Sequence, residues 1–143
     1  MSAPVVNYIR DAQLVRLIDG DTAVLNVDLG FDIWAKKTVR LLGVDTPEVR
    51  GVESLAGKYV VRQLEGLING QSKLVLDSQQ FDSGKFGRCL GRIWLGDTCL
   101  NDWLLLNRLS WPTDESGKIV GQRDLEKLDL PGGIVQQCLE KMI

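Results

Sequence analysis

Histidine is absent from this chain of 143 residues. Its absence excludes a histidine-based catalytic triad, a zinc site with histidine ligands, and an imidazole acting as general base. Acid–base or metal chemistry in this protein therefore has to use carboxylates, Lys, Arg, Tyr or Cys side chains.

Cysteine is scarce, and the three cysteines are Cys89, Cys99 and Cys138. An odd number without C-x-x-C spacing argues against a disulfide framework and against a zinc site. The chain also lacks the run of about 18 apolar residues that spans a membrane, and residues 1–13 show no signal-peptide pattern. We therefore expect free thiols, no membrane partner and a cytoplasmic location.

An excess of positive charge is missing as well. The chain has 17 Lys and Arg against 19 Asp and Glu, a net charge of -2 and a pI near 5.1. This balance excludes a protein that holds nucleic acid by bulk positive potential. Residues 58–92 are locally basic, however, with Lys58, Arg62, Lys73, Lys85, Arg88 and Arg92 outnumbering Glu65, Asp77 and Asp82. A local basic face is the strongest statement about nucleic acid that composition permits.

Strand-forming segments dominate the first two thirds of the chain. The segments rich in β-branched or aliphatic residues are residues 13–18, 22–28, 33–42, 73–78 and 89–95. Asp19-Gly20 and residues 29–32 separate the first three as turns, which indicates an antiparallel meander.

Helical patterns follow and interrupt these strands. Residues 54–69 carry one apolar stripe and stop at Gly70, and Asn101 can cap a second helix whose apolar face includes Trp103, Leu104 and Leu106. In the tail, only residues 122–128 and 133–142 have a helical pattern.

This order predicts an α+β fold that is mainly β: a five-stranded OB-type barrel with two flanking helices and a helical C-terminal tail. The length fits one compact domain. We assign residues 1–113 to the barrel and residues 114–143 to a peripheral tail of the same domain.

Three polar clusters lie at strand ends or in turns, at residues 19–22, 40–48 and 85–88. Asp21, Asp45 and Glu48 offer the hard oxygens that a divalent cation prefers and the base that an attacking water needs. Arg40 and Arg88 offer planar guanidinium groups that bind two phosphate oxygens at once. Together these groups suffice for phosphoryl transfer without histidine.

Each cluster also has a plain structural interpretation. An Asp-Gly pair between strands is usually only a turn, and residues 45–48 can simply begin a helix. Residues 85–88 alone are typical of a solvated hairpin loop. Taken singly, the clusters are weak signals.

In this order and with strands between them, the clusters resemble the staphylococcal nuclease (thermonuclease) family across residues 13–111. The turn D-G-D-T at residues 19–22 and V-R-L-L-G-V-D-T-P-E at residues 39–48 carry most of the resemblance. The segment G-K-F-G-R at residues 84–88 and the helix opening at Leu100-Asn101-Asp102 support it.

The resemblance implies a calcium site. Asp21 and Asp45 match the residues that ligate Ca²⁺ through carboxylates, and Thr46 matches the residue that ligates it through a backbone carbonyl. Asp19 matches a residue that lies near the metal and supports these ligands without binding the metal itself.

The resemblance also implies a phosphodiester substrate, with DNA as the expected partner and RNA left open. Glu48 matches the base that activates water, and Arg40 and Arg88 match the arginines on the scissile phosphate. Lys85 matches a lysine on a neighbouring phosphate, and Phe86 stands where the family has a tyrosine beside the nucleotide. The products implied are 3′-phosphate and 5′-hydroxyl ends.

Two departures and two rival functions accompany this expectation. The family's tyrosines after the second helix have no match other than Trp111, and the stretch between Glu48 and the first helix is short. One rival is a non-catalytic OB-type module that binds nucleic acid or a peptide. The other is an acidic OB domain in which the clusters are only turns.

Overall fold

The structure, a computed structural model, describes residues 8–71, 73–82 and 88–143, with the backbone alone at residues 80–82 and 88. Within these ranges the strands are β1 (Ile9–Asp19), β2 (Thr22–Asp28), β3 (Trp34–Leu41), β4 (Val44–Asp45), β5 (Lys73–Asp82), β6 (Arg88–Leu95), β7 (Thr98–Cys99) and β8 (Trp111–Pro112). The helices are α1 (Ser54–Ile68), α2 (Leu100–Leu106) and α3 (Gly132–Lys141), with 3-10 turns at Gly51–Glu53 and Leu125–Lys127.

Five of the strands close into a barrel in the order β3-β2-β1-β5-β6. Neighbours along this order are antiparallel, and a parallel pairing of β3 with β6 returns the sheet to its first strand. In that closing pair Val39 lies opposite Cys89 and Arg40 lies opposite Leu90. The predicted α+β, mainly β fold with a five-stranded OB-type barrel is confirmed.

Helix α1 covers one side of the barrel core with the apolar stripe that its sequence predicts. Val60, Leu64 and Ile68 are buried against barrel residues such as Leu25 and Leu74. Full burial of one such side chain contributes about 1.5–3 kcal/mol relative to an exposed position. The helix ends at Asn69, which adopts a left-handed conformation next to Gly70.

A second apolar cluster joins α1 to the C-terminal segment. Its buried members come from α1, β8, the second 3-10 turn and α3: Ala56, Trp111, Leu125, Leu128 and Cys138. The tail therefore packs on the helix whose start lies close to the predicted site. The assignment of residues 114–143 as a peripheral tail stays a prediction.

The helix predicted at residues 122–128 is wrong, because only the 3-10 turn Leu125–Lys127 forms there. The Asp124 carboxylate accepts the Glu126 N–H and starts this turn, and Leu128 is already extended. Leu125 and Leu128, three residues apart, both reach the second cluster from a single turn. The three-residue spacing of Leu125 and Leu128, which suggested an α-helix, is therefore produced by a single 3-10 turn.

The predicted capping role of Asn101 is also wrong. Helix α2 begins at Leu100, and Asn101 lies inside its first turn, 1% exposed. Its side chain accepts the Ile93 N–H at 3.1 Å and donates to the carbonyls of Leu42 at 2.8 Å and Gly91 at 3.1 Å. Asn101 thus ties α2 to the barrel and to the loop that leads towards Asp45.

Two of the three residues predicted for the apolar face of α2 are confirmed, and the third is wrong. Leu104 is buried and Trp103 packs against the core, whereas Leu106 is 82% exposed. The three cysteines are free and buried, which confirms the prediction of unpaired thiols. In the described part of the chain, no helix combines the length and apolar character of a membrane span.

Candidate functional site

The register of β2 and β3 brings the first two polar clusters together. Thr22, the first residue of β2, lies opposite Arg40 near the end of β3. Consequently Arg40 Nη1 lies 2.9 Å from Asp21 Oδ2 and 3.3 Å from the Asp21 carbonyl. Its Nη2 lies 3.9 Å from Asp45 Oδ1, which is longer than a hydrogen bond. One guanidinium therefore stands between the two carboxylates predicted to bind metal.

Asp21 is a buried carboxylate with its oxygens engaged. It accepts the Thr46 N–H and the Thr22 hydroxyl, each at 2.9 Å, in addition to the contact from Arg40. A buried carboxylate needs such partners to offset the loss of water. The result is a fixed distance between the β1–β2 turn and the segment that contains Thr46.

The turn before Asp21 packs directly against α1. A Cβ atom at Gly20 would lie 2.6 Å from Val60 Cγ1 and 3.0 Å from two side-chain atoms of Thr46. Because Cβ atoms do not approach so closely, only glycine lets the turn sit this deep. This close packing carries the Asp21 carboxylate to the Thr46 backbone.

Asp45 is positioned by a short two-stranded sheet that the sequence pattern does not predict. Strand β4 pairs with β8, so that Asp45 lies opposite Trp111. The neighbouring Ser110 hydroxyl accepts the Asp45 N–H at 2.9 Å and lies 3.0 Å from the Asp45 carbonyl. The backbone of this predicted ligand is thereby held on both sides.

Arg123, from the C-terminal segment, is the principal residue that the sequence does not point to. Its Nη1 lies 3.0 Å from Asp45 Oδ2, and its Nη2 lies 3.2 Å from the Thr46 carbonyl. Its Nε and Nη2 form a two-pronged pair with Glu53, at 3.0 and 2.7 Å. The guanidinium also lies over the Trp111 ring, 4.4 Å from the centroid. One side chain thus contacts both predicted ligand positions after β4.

These contacts change the pKa of both partners. Burial works to raise the pKa of Glu53, but the hydrogen bonds from Arg123 and from the Glu48 N–H outweigh it and lower that pKa below its usual value. Burial works in the opposite sense on Arg123, and its hydrogen bonds to Glu53 and Asp45 raise its pKa. The pair is therefore charged on both sides throughout the physiological range.

Glu48 is exposed at the edge of this network. Its backbone N–H donates to Glu53 Oε1 at 3.0 Å, and its carbonyl lies against Gly57 of α1. Just after it, the Val49 N–H donates to Asp19 Oδ1 at 3.1 Å. Asp19 therefore braces the segment that follows Glu48, and its predicted place behind the metal ligands stays a prediction.

The remaining predicted residues come from the third cluster. Lys85 and Phe86 lie outside the described residues. The backbone of Arg88 begins β6, one residue before Cys89, which pairs with the neighbour of Arg40 on β3. The closing pair of the barrel thus brings the chain at Arg88 close to the strand end that contains Arg40.

The oxygen atoms near Arg40 are of the type that suits calcium. Among the described residues, no group of three or more acidic or cysteine side chains converges into a metal cluster. Two carboxylates, Asp21 and Asp45, flank one guanidinium, and the Thr46 carbonyl is next to the second of them. Hard oxygens of this kind fit Ca²⁺ when waters complete its coordination shell.

Trp111 cannot take over the role of the missing tyrosines. It is 2% exposed, and its indole N–H donates to the Asp124 carbonyl at 2.9 Å. A base-stacking side chain has to present a ring face to solvent. Trp111 instead supports Arg123 from within the second apolar cluster.

Glu53 and Arg123 have no local signal in the sequence. Arg123 is separated from Glu53 by 70 residues and from Thr46 by 77. Each residue lies among other charged residues, where a solvated position is the ordinary expectation. Only the packing of the tail on α1 brings them together.

Comparison with known proteins shows the family of the chain. A family model described as staphylococcal nuclease homologue matches residues 38–127. The thermonuclease of Staphylococcus intermedius is 32% identical over 129 residues, covering 80% of this chain and 71% of that protein. The thermonuclease of Staphylococcus hyicus is 31% identical over 99 residues, covering 64% of this chain and 53% of that protein. The family match spans more than half of the sequence and includes Arg40, Asp45 and Arg123, so the chain belongs to the staphylococcal nuclease homologue family.

Proposed function

We propose that this protein is a calcium-dependent nuclease that hydrolyses phosphodiester bonds of DNA, and in principle of RNA, to 3′-phosphate and 5′-hydroxyl ends. The observation that supports it most is the arrangement of Asp21, Arg40 and Asp45, with one guanidinium between two carboxylates at one end of the barrel.

Asp21, Asp45 and the Thr46 carbonyl would hold Ca²⁺. When bound, the cation supplies positive charge beside the phosphate and lowers the pKa of water. Membership of the family and the hard-oxygen character of these three groups support this assignment.

The chain's own residues would handle the phosphate and the proton. Arg40 Nη2, too far from Asp45 for a hydrogen bond, donates to a non-bridging oxygen, and Arg88 donates to the same phosphate. These donors stabilise the negative charge that grows on the equatorial oxygens during attack. Glu48 accepts the proton of the attacking water as the new P–O bond forms.

Bond cleavage follows from in-line attack. Water enters opposite the 5′ oxygen, the P–O5′ bond breaks, and that oxygen takes a proton from solvent and leaves as the 5′-hydroxyl of the next nucleotide. The phosphate stays on the 3′ side. Because water is the nucleophile, the ribose 2′-hydroxyl is not required, and DNA is cut as well as RNA.

The test is cleavage of single-stranded DNA by the purified chain in calcium and in excess EDTA. Calcium should give fragments with 3′-phosphate ends by mass spectrometry, and EDTA should abolish cleavage. Asp45→Asn should lose at least about 10²-fold in rate, because removal of one charge-stabilising group typically costs that much. Asp114→Asn is the matched control, since that carboxylate caps a turn of the tail at Ser116 and Lys118.

Cleavage in EDTA would refute the metal assignment, and 5′-phosphate ends would refute the order of attack and departure. Activity that survives in Asp45→Asn would point to a contaminating nuclease. Binding of single-stranded DNA without cleavage would favour the non-catalytic OB-type module.

A further inference from the structure

The ion pair between Arg123 and Glu53 contacts three residues of the segment that contains the proposed ligands and base. Arg123 binds the Asp45 carboxylate and the Thr46 carbonyl directly. Glu53, which binds Arg123 with both carboxylate oxygens, accepts the Glu48 N–H. The Arg123–Glu53 pair therefore contacts all three of the functional positions from Asp45 to Glu48.

The pair is itself held firmly. The Glu53 side chain is 12% exposed, and the Arg123 side chain is 31% exposed. The guanidinium rests on Trp111, whose indole N–H is bonded to the carbonyl of Asp124, the residue after Arg123. Because these contacts leave few conformations open to either side chain, the ion pair can restrain the positions of the groups that it binds.

We propose that Arg123 and Glu53 are positioning residues that fix Asp45, the Thr46 carbonyl and Glu48 for the reaction. The proposal rests on the proposed function for the roles of those three residues. It also assigns a task to the C-terminal segment, which supplies one half of the restraint.

A rival interpretation of the same contacts makes the opposite prediction. If Arg123 were only a positive charge beside the ligands, it would repel Ca²⁺ and compete for the same oxygens. Its removal would then strengthen calcium binding. If Arg123 orients the ligands, its removal weakens calcium binding, because groups that support metal ligands typically contribute 10–100-fold in affinity or activity.

The experiment is calorimetric titration of calcium into the wild-type chain, Arg123→Gln and Arg92→Gln. Arg92 is the matched control because it forms an ion pair of similar length, 2.8 Å, with Asp102 on α2. We expect the calcium Kd to rise about tenfold or more in Arg123→Gln and to stay unchanged in Arg92→Gln. An unchanged or lower Kd in Arg123→Gln overturns the proposal.

Steady-state kinetics give a second readout. Arg123→Gln should lower kcat by about 10–100-fold with a smaller effect on KM, since the restraint acts on reacting groups rather than on substrate contacts. Arg123→Lys keeps the charge but lacks the fork that holds Glu53 and Asp45 together, so it should fall between wild type and Arg123→Gln. A lysine variant that behaves as wild type would show that charge alone matters.

Hydrogen exchange separates this proposal from the proposed function. The Glu48 amide should exchange slowly in the wild-type chain and faster in Glu53→Ala and Arg123→Gln, whether or not calcium is bound. Unchanged protection in both variants overturns the restraint, even in an active nuclease. Loss of protection in a chain that neither binds calcium nor cuts DNA would support the restraint and refute the nuclease.

Discussion

Two glycines of helix α1 allow a sharp test of how the segment containing Glu48 is packed. At Gly57, a Cβ atom would lie 2.2 Å from the Glu48 carbonyl oxygen, 2.3 Å from its carbon and 2.6 Å from the Val49 nitrogen. At Gly66, nothing lies within 4 Å of the same atom. Neither backbone is in the left-handed region, so alanine fits the helix conformation at both positions.

The two substitutions should therefore change stability in opposite directions. Alanine is favoured over glycine in a helix by about 1 kcal/mol, and Gly66→Ala should gain up to that amount. In Gly57→Ala the contacts are with backbone atoms, which have to move by about 0.8 Å to reach the closest approach that Cβ atoms tolerate, 3.0 Å. Overpacking of this kind costs about 1–3 kcal/mol, and because the helix-propensity gain of about 1 kcal/mol applies here too, the net loss should be about 1 kcal/mol.

The measurement is urea unfolding of both variants and the wild type, with the midpoint compared at constant slope. A difference of about 2 kcal/mol between the variants is expected, because the helix-propensity gain is common to both and only the overpacking cost separates them. Cleavage of DNA should also fall by about 10²-fold in Gly57→Ala, because a displacement near 1 Å at a reacting group costs that much. Equal stability of the two variants would show that the Glu48 segment does not lie against α1 as described.

Two further predictions concern buried polar groups. Among the residues that the structure describes, the buried Thr46 hydroxyl has no hydrogen-bond partner, so Thr46→Val should raise the free energy of unfolding by about 1 kcal/mol, measured in urea. Because only the Thr46 carbonyl is proposed as a ligand, calcium binding should persist, and its loss would contradict that role. Asn101→Leu leaves the Ile93 N–H and two carbonyls without their partner and should cost at least about 3 kcal/mol, again measured in urea. A near-neutral result would mean that water replaces the amide.

Local patterns predicted most of the barrel and its first helix. The strand predicted at residues 22–28 coincides with β2, and the stripe of residues 54–69 coincides with α1 within one residue. These segments bury alternate or periodic side chains, which the sequence displays directly. Strand β1 starts at Ile9 rather than residue 13, because Ile9, Arg10 and Asp11 are exposed and give no apolar alternation, yet they pair with β5.

Pairings between distant segments were beyond such patterns. The parallel β3–β6 pair closes the barrel without any marker in either strand, and β4 with β8 is only two residues long. Both pairings join segments that are far apart in the sequence. The resemblance to a family could predict the barrel, but periodicity alone could not predict its closure.

The candidate site likewise contains residues that the sequence predicts and residues that it does not. Asp21, Arg40 and Asp45 lie close together because turns and strand ends of the barrel place them, and the roles that the resemblance implies for them stay predictions. Arg123 and Glu53 are not among the predicted site residues, since neither lies in the three polar clusters, and the helix predicted at residues 122–128 around Arg123 is wrong. The predicted residues Lys85 and Phe86 lie outside the described residues, so their roles stay predictions.

Five charged side chains at the site contact one another in a series in which the sign of the charge alternates: Asp21, Arg40, Asp45, Arg123 and Glu53. Each neighbouring pair in this series lies within 3.9 Å. Three carboxylates packed this closely would repel one another strongly in a partly buried setting. The two guanidinium groups between them remove most of that repulsion within the chain itself. We therefore expect the site to fold without a cation, and the proposed Ca²⁺ would contribute only to binding phosphate and activating water. For this reason EDTA should stop cleavage in the assay proposed above without unfolding the barrel, whereas loss of Arg123 should affect both the geometry of the ligands and the attachment of the tail.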